Sequence, residues 1–129
     1  MITTKRVYDA PDPADGYRVL VDRLWPRGVT KAAAQLDEWL KDIAPSPELR
    51  TWFNHAEARW SEFAQRYRLE LAQPEALAHL ERLAALAQQQ TLTLLYAARA
   101  DKHNSASIVR DEIEALLKPR PKSGSKVAR

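Results

Sequence analysis

Cysteine is absent from the 129 residues, which excludes disulfides, thiolate metal sites and cysteine nucleophiles together. Histidine is scarce. Only His55, His79 and His103 occur, none at a ligand spacing from another, so no metal site is expected. The three glycines are scattered, which leaves no Gly-rich phosphate loop and no dinucleotide-binding fingerprint. A Gly-x-Ser-x-Gly nucleophile elbow is missing too. No cofactor is therefore expected. No apolar run approaches the ~18 residues that span a bilayer, and Met1 to Arg6 has no apolar signal-peptide core. A cytoplasmic protein with no membrane partner is the expectation.

What is present fits an ordinary globular chain: 45% hydrophobic and 29% charged residues, on a length suited to one core. The net charge of +3 is unevenly spread. Lys118, Arg120, Lys122, Lys126 and Arg129 contribute five cations without an acid, leaving fifteen against seventeen acids in the body. The basicity belongs to residues 118–129, a Pro/Ser/Gly-rich stretch expected to be disordered. Such a tail can touch nucleic acid or an acidic partner, but a slightly acidic body does not favour nucleic acid.

Hydrophobic patterning sets the fold class. Residues 2–7 are β-prone and run into a Pro/Asp/Gly loop. Tyr17 to Leu24 reads as a strand whose apolar centre, Val19-Leu20-Val21, suits burial on both faces. Thr30 predicts a helix start, with Leu36, Trp39, Leu40 and Ile43 at helical spacing. Ser46-Pro47-Glu48 and Gln73-Pro74-Glu75 are proline-led helix starts. Between them, Trp52, Phe53, Trp60, Phe63 and Tyr67 recur at helical spacing and are assigned to core packing rather than base stacking. Thr91 to Ala97 is the clearest strand, and His103 to Lys118 the last helix. Helices between two strands imply a parallel crossover. The expectation is a small single α/β domain over residues 1–117, with a few-stranded, mainly parallel sheet and about five helices. Nothing requires more than a monomer.

Ligands of open α/β sheets gather beyond the carboxyl ends of the strands. Asp22 to Gly28 and Tyr96 to Asn104 arrive there. Arg23 and Arg27 offer planar donor forks for phosphate or carboxylate, with Trp25 and Pro26 shaping the turn between them. Alternatively Asp22 pairs with Arg23 or Arg27 and only fixes the strand end. His103 and Asn104 stand at a helix N-terminus, which attracts anions, although Asn104 can simply cap the helix. The candidate site is therefore Asp22 and His103 as acid or base, with Arg23, Trp25, Arg27, Tyr96 and Asn104 as ligand-binding residues. His55 can approach the same edge, and His79 is read as surface. The expected partner is a small phosphorylated or carboxylated molecule. The alternatives are a nucleic-acid-binding module using Lys5, Arg6 and the tail, or a protein-interaction domain.

The blocks Tyr-Arg-Val-Leu-Val-Asp-Arg-Leu-Trp-Pro-Arg-Gly (17–28), Trp39 to Ser46, Leu49 to His55, Leu94 to Ala98 and His103-Asn104 resemble, in order and spacing, the YeaO-like branch of domain-of-unknown-function family 488. That resemblance covers roughly residues 2–117 and implies a compact bacterial cytosolic α/β domain without a settled activity. It marks Lys5, Arg6, Asp22, Arg23, Trp25, Arg27, Tyr96, His103 and Asn104. Where the family pattern has an acid after Tyr-Ala-Ala-Lys, this chain has Arg99-Ala100 and then Asp101. A sister branch carries a Cys-His-Arg motif, and its thiolate chemistry has no counterpart here. Whether the protein is an enzyme stays open at this point.

Overall fold

The computed structural model describes residues 1–100 and 103–118. The basic tail beyond Lys118 and the Asp101-Lys102 pair lie outside the described residues. Four strands, β1 (Ile2–Arg6), β2 (Tyr17–Leu20), β3 (Glu38–Trp39) and β4 (Leu92–Tyr96), form one sheet in the order β1-β4-β2-β3. Every neighbouring pair is parallel. The five helices are α1 (Lys31–Ala34), α2 (Pro47–Phe53), α3 (Trp60–Leu71), α4 (Pro74–Ala87) and α5 (Ser105–Leu117). The expected α/β class and the parallel crossover between the two clear strands are both found.

The sheet's two faces carry different chemistry because side chains alternate along each strand. Ile2, Val19, Val21, Leu92, Leu94 and Tyr96 face one side and merge with Phe63, Tyr67, Leu80, Leu83, Ile108 and Ile113 of the helices in the main core. Leu20 and Leu95 face the other side, where Val7, Trp25, Val29, Leu36 and Trp39 cover them. β4 is buried at all five positions, the polar Thr93 included. On the second face Asp15 is buried between Lys5 and Arg18, and Thr93 donates to its carbonyl.

Two sequence expectations need correction. β2 ends at Leu20, not Leu24, and the last rung beside it is Val21 N–H to the Leu95 carbonyl at 3.1 Å. The helix expected from Thr30 through Ile43 does not form. Thr30 caps a single turn, α1, which Gln35 ends with a left-handed φ of 48°. The chain then pairs as β3 and closes a 3₁₀ turn at Lys41–Ile43. Leu36, Trp39, Leu40 and Ile43 match a helical stripe, but Trp39 packs on one face of the sheet while Leu40 and Ile43 enter the other. Pairing with β2 overrode the helical periodicity.

The proline-led starts behave as expected. Ser46 caps α2 by accepting from Leu49 N–H, and its own hydroxyl donates to Glu70 at 2.6 Å. Gly16 matters for a different reason. Its φ is +65°, and a Cβ there would stand 2.2 Å from the Thr91 carbonyl oxygen, the acceptor of the first rung into β2. Gly28 also has a positive φ, 79°, but faces open space. Gly16→Ala is therefore expected to cost about 3 kcal/mol or more from strain and overlap together, and Gly28→Ala about 1 kcal/mol. Urea unfolding of the two variants checks the contrast.

Burial pushes the Asp15 carboxyl upward, but the Asp12 N–H, Lys5 and Arg18 outweigh it and hold the pKa below its ordinary 3.8. The folded state thus favours the ionised form. Its contribution is complete above about pH 4 and is lost as pH falls through the lower folded value. Urea midpoints should drop less between pH 7 and pH 3 in Asp15→Asn than in the unaltered protein.

Candidate functional site

β2 and β4 lie side by side, yet their continuations part. The chain after β2 passes to the second face and α1, while the chain after β4 enters α5 on the core face. Between them opens a cleft of about 1170 Å3 beyond the carboxyl ends of the strands. Its walls are residues 22–27, 97–100 and 103–105, together with α2, the turn after it and the aromatic start of α3.

Asp22 stands where the strands separate. One carboxylate oxygen accepts Ala97 N–H at 2.8 Å, replacing the rung that the departing β2 backbone no longer offers. Its carbonyl accepts the Trp39 indole N–H at 2.7 Å. Burial raises the Asp22 pKa above the ordinary 3.8, while the Ala97 N–H and the nearby Arg50 guanidinium act against that rise. The following turn is fixed by Trp25, which donates to the Val29 carbonyl at 2.6 Å and meets Trp39 edge-on at 5.2 Å.

The arginines divide into two kinds. Arg23 reaches back to the carbonyls of Ala44 and Pro45 at 3.3 and 3.4 Å, tying the strand end to the segment before α2. Its Nε is buried without a partner. Arg6 donates to the carbonyls of Ala97 and Ala98 and so anchors the end of β4. Arg27, Arg50 and Arg99 line the cleft as exposed side chains, and none has a side-chain hydrogen bond or ion pair among the described residues. Neither ion pair considered for Asp22, with Arg23 or with Arg27, is formed. Only the longer-range field of Arg50 reaches it.

Opposite lies an aromatic wall. The His103 ring stacks on Trp60 at 4.7 Å and 12°, and its Nδ1 stands 2.7 Å from a Glu57 carboxylate oxygen. A carboxylate only accepts, so Nδ1 carries the proton. Phe53 packs against Trp60 at 5.8 Å and Phe63 at 4.5 Å. Asn54 and His55 both adopt left-handed φ values, 46° and 55°, turning the chain out of α2 along the rim.

Of the residues expected from sequence, Asp22, Arg23, Trp25, Arg27, His103 and Asn104 line this one cleft, as does His55. Tyr96 does not: its side chain is 3% exposed and belongs to the main core. Asn104 fills a capping role, accepting from Ser107 N–H at 2.9 Å and donating to the Ala100 carbonyl at 3.0 Å. His79 is half-buried beside Arg82. Lys5 belongs to the Asp15 network. Asp101, the displaced acid, is outside the described residues. Sequence reasoning missed Arg50, Glu57 and Arg99; Phe53 and Trp60 pack against the main core as expected and also line the cleft. Arg50 and Glu57 sit amid helical patterns, where an exposed charge is unremarkable. Among the described residues no group of three His, Asp or Glu could hold a metal ion.

Comparison with known proteins agrees with the blocks around this cleft. The family model described as the inactive DUF488-N3 subclade matches residues 1–128. The chain belongs to that subclade. It is 47% identical over 115 residues to the uncharacterized protein YeaO of Escherichia coli K12, covering 89% of this chain and 98% of YeaO. It is 50% identical over 82 residues to the uncharacterized protein Rv3073c of Mycobacterium tuberculosis H37Rv, covering 64% of this chain and 70% of that protein. No solved structure gives a significant match. No helix among the described residues of this DUF488 chain is long and apolar enough to cross a membrane.

The geometry separates residues that hold the site from residues that face it. Asn104→Ala should lower stability by about 1–2 kcal/mol through loss of the cap. Arg50→Ala and Arg99→Ala should each stay within about 0.5 kcal/mol of the parent. Thermal unfolding of the three variants measures the difference.

Proposed function

We propose that this protein binds a small phosphorylated or carboxylated molecule in the cleft at the carboxyl end of its sheet. One observation carries the reading: Arg27, Arg50 and Arg99 converge on a single concavity without side-chain partners among the described residues. Guanidinium groups only donate, and their planar forks match carboxylate and phosphate oxygens. The position beyond the strand ends, at the N-terminus of α5, adds a favourable field for an anion. Binding without turnover fits best, because the matching subclade is described as inactive.

Calorimetric titration with inorganic phosphate, glycerol 3-phosphate and succinate tests the reading. At least one should bind, and Arg27→Ala or Arg50→Ala should weaken it about 10- to 100-fold with little change in melting temperature. Removing residues 119–129 should leave the affinity unchanged. Absence of binding by all three, or equal affinity in the arginine variants, overturns the reading. So does binding of an oligonucleotide alone that disappears with the tail.

A further inference from the structure

We propose that the ligand of this cleft is a phosphate monoester bearing hydroxyl groups, a polyol or sugar phosphate, with Asp22 accepting a hydrogen bond from a ligand hydroxyl. The inference rests on the cleft being an anion site and narrows what the anion carries.

Three observations support it. The first is charge. Among the described lining residues four arginines, Arg23, Arg27, Arg50 and Arg99, face two carboxylates, Asp22 and Glu57. An excess of two positive charges matches a phosphate monoester, whose charge at neutral pH is about −1.5 to −2. The second is the division of hydrogen-bonding roles. The arginines are donors only, and they are exposed at the rim except for Arg23. Asp22 is an acceptor, half-buried at the foot. Its Oδ2 takes the Ala97 N–H, but its Oδ1 receives no hydrogen bond from any described residue. Burial raises the Asp22 pKa against the Ala97 N–H and Arg50. An anion without donors, such as a dicarboxylate, leaves that oxygen unfilled and brings like charge toward it. A hydroxyl fills it. A ligand ammonium is disfavoured, since Arg50 already supplies positive charge beside Asp22. The third is size. At about 1170 Å3 the cleft exceeds what a bare phosphate occupies and is somewhat larger than the roughly 300–1,000 Å3 of ordinary small-molecule sites.

The test pairs ligands of equal charge that differ in hydroxyls. Methyl phosphate, glycerol 3-phosphate and glucose 6-phosphate are titrated into the full chain and into Asp22→Ala and Asp22→Asn. The Asn variant keeps an oxygen for Ala97 N–H and guards against misfolding of the Ala variant. In the parent, at least one hydroxylated ester should bind 10-fold or more tighter than methyl phosphate, as a hydrogen bond to a charged group allows. In the folded Asp22 variants that ratio should fall below about 3, while methyl phosphate still binds. Equal affinities in the parent, or a ratio unchanged by both substitutions, overturn the proposal. If methyl phosphate binds in an Arg27-dependent way without hydroxyl preference, the anion reading stands and only this inference fails. If no ester binds, this inference fails, and the anion reading fails with it only when inorganic phosphate and succinate do not bind either.

Discussion

The hydrogen bond from Ala97 N–H to the Asp22 carboxylate is the joint on which the functional end of the molecule turns. Parallel strands share a ladder only while they run together, and β2 ends at Leu20, opposite Leu95, while β4 runs on to Tyr96. A backbone N–H stranded beside a buried core is costly. The Asp22 side chain supplies the missing acceptor, so the two chains can diverge to opposite faces without leaving a polar group unmet. The cleft is the space that divergence creates. Its depth, its acidic foot and the course of both walls follow from one residue that works half as backbone.

Other contacts hold the walls at a fixed distance. Trp39 donates to the Asp22 carbonyl and meets Trp25 in a T-shaped contact, which steadies the arginine turn. Arg6 pins Ala97 and Ala98, and Arg23 pins the approach to α2. The arginines therefore form two populations. Those bound to carbonyls build the frame, and those at the rim are left facing solvent. Sequence makes no such distinction, because a guanidinium looks the same whether it braces a loop or awaits a ligand.

That contrast explains what was legible beforehand. The parallel sheet, the helix starts at Ser46 and Gln73 and the cap at Asn104 rest on local signals, and each survives in the fold. Most of the candidate site was legible too, since two strand ends in an α/β sheet must meet at one edge. The failures are tertiary. β3 was hidden because Trp39, Leu40 and Ile43 satisfy a helical period while belonging to opposite faces of a sheet. Tyr96 looked accessible at a strand end, but alternation turns it into the core. Arg50 and Glu57 reach the cleft through the packing of α2 and the turn preceding α3, which no spacing along the chain encodes.

The strand order has a consequence for how the chain is made. β4 sits between β1 and β2, so neither early strand has a sheet partner on its core-forming side until residue 96 exists. Ile2 waits for Leu92, ninety residues later. At ordinary synthesis speeds of about 5–20 residues per second, roughly 4 to 15 seconds pass between the appearance of β2 and of β4. Through that interval the helical segments can gather, but both early strands remain open on the side that β4 will fill. The sheet is completed only when this fully buried inner strand arrives, late in the chain.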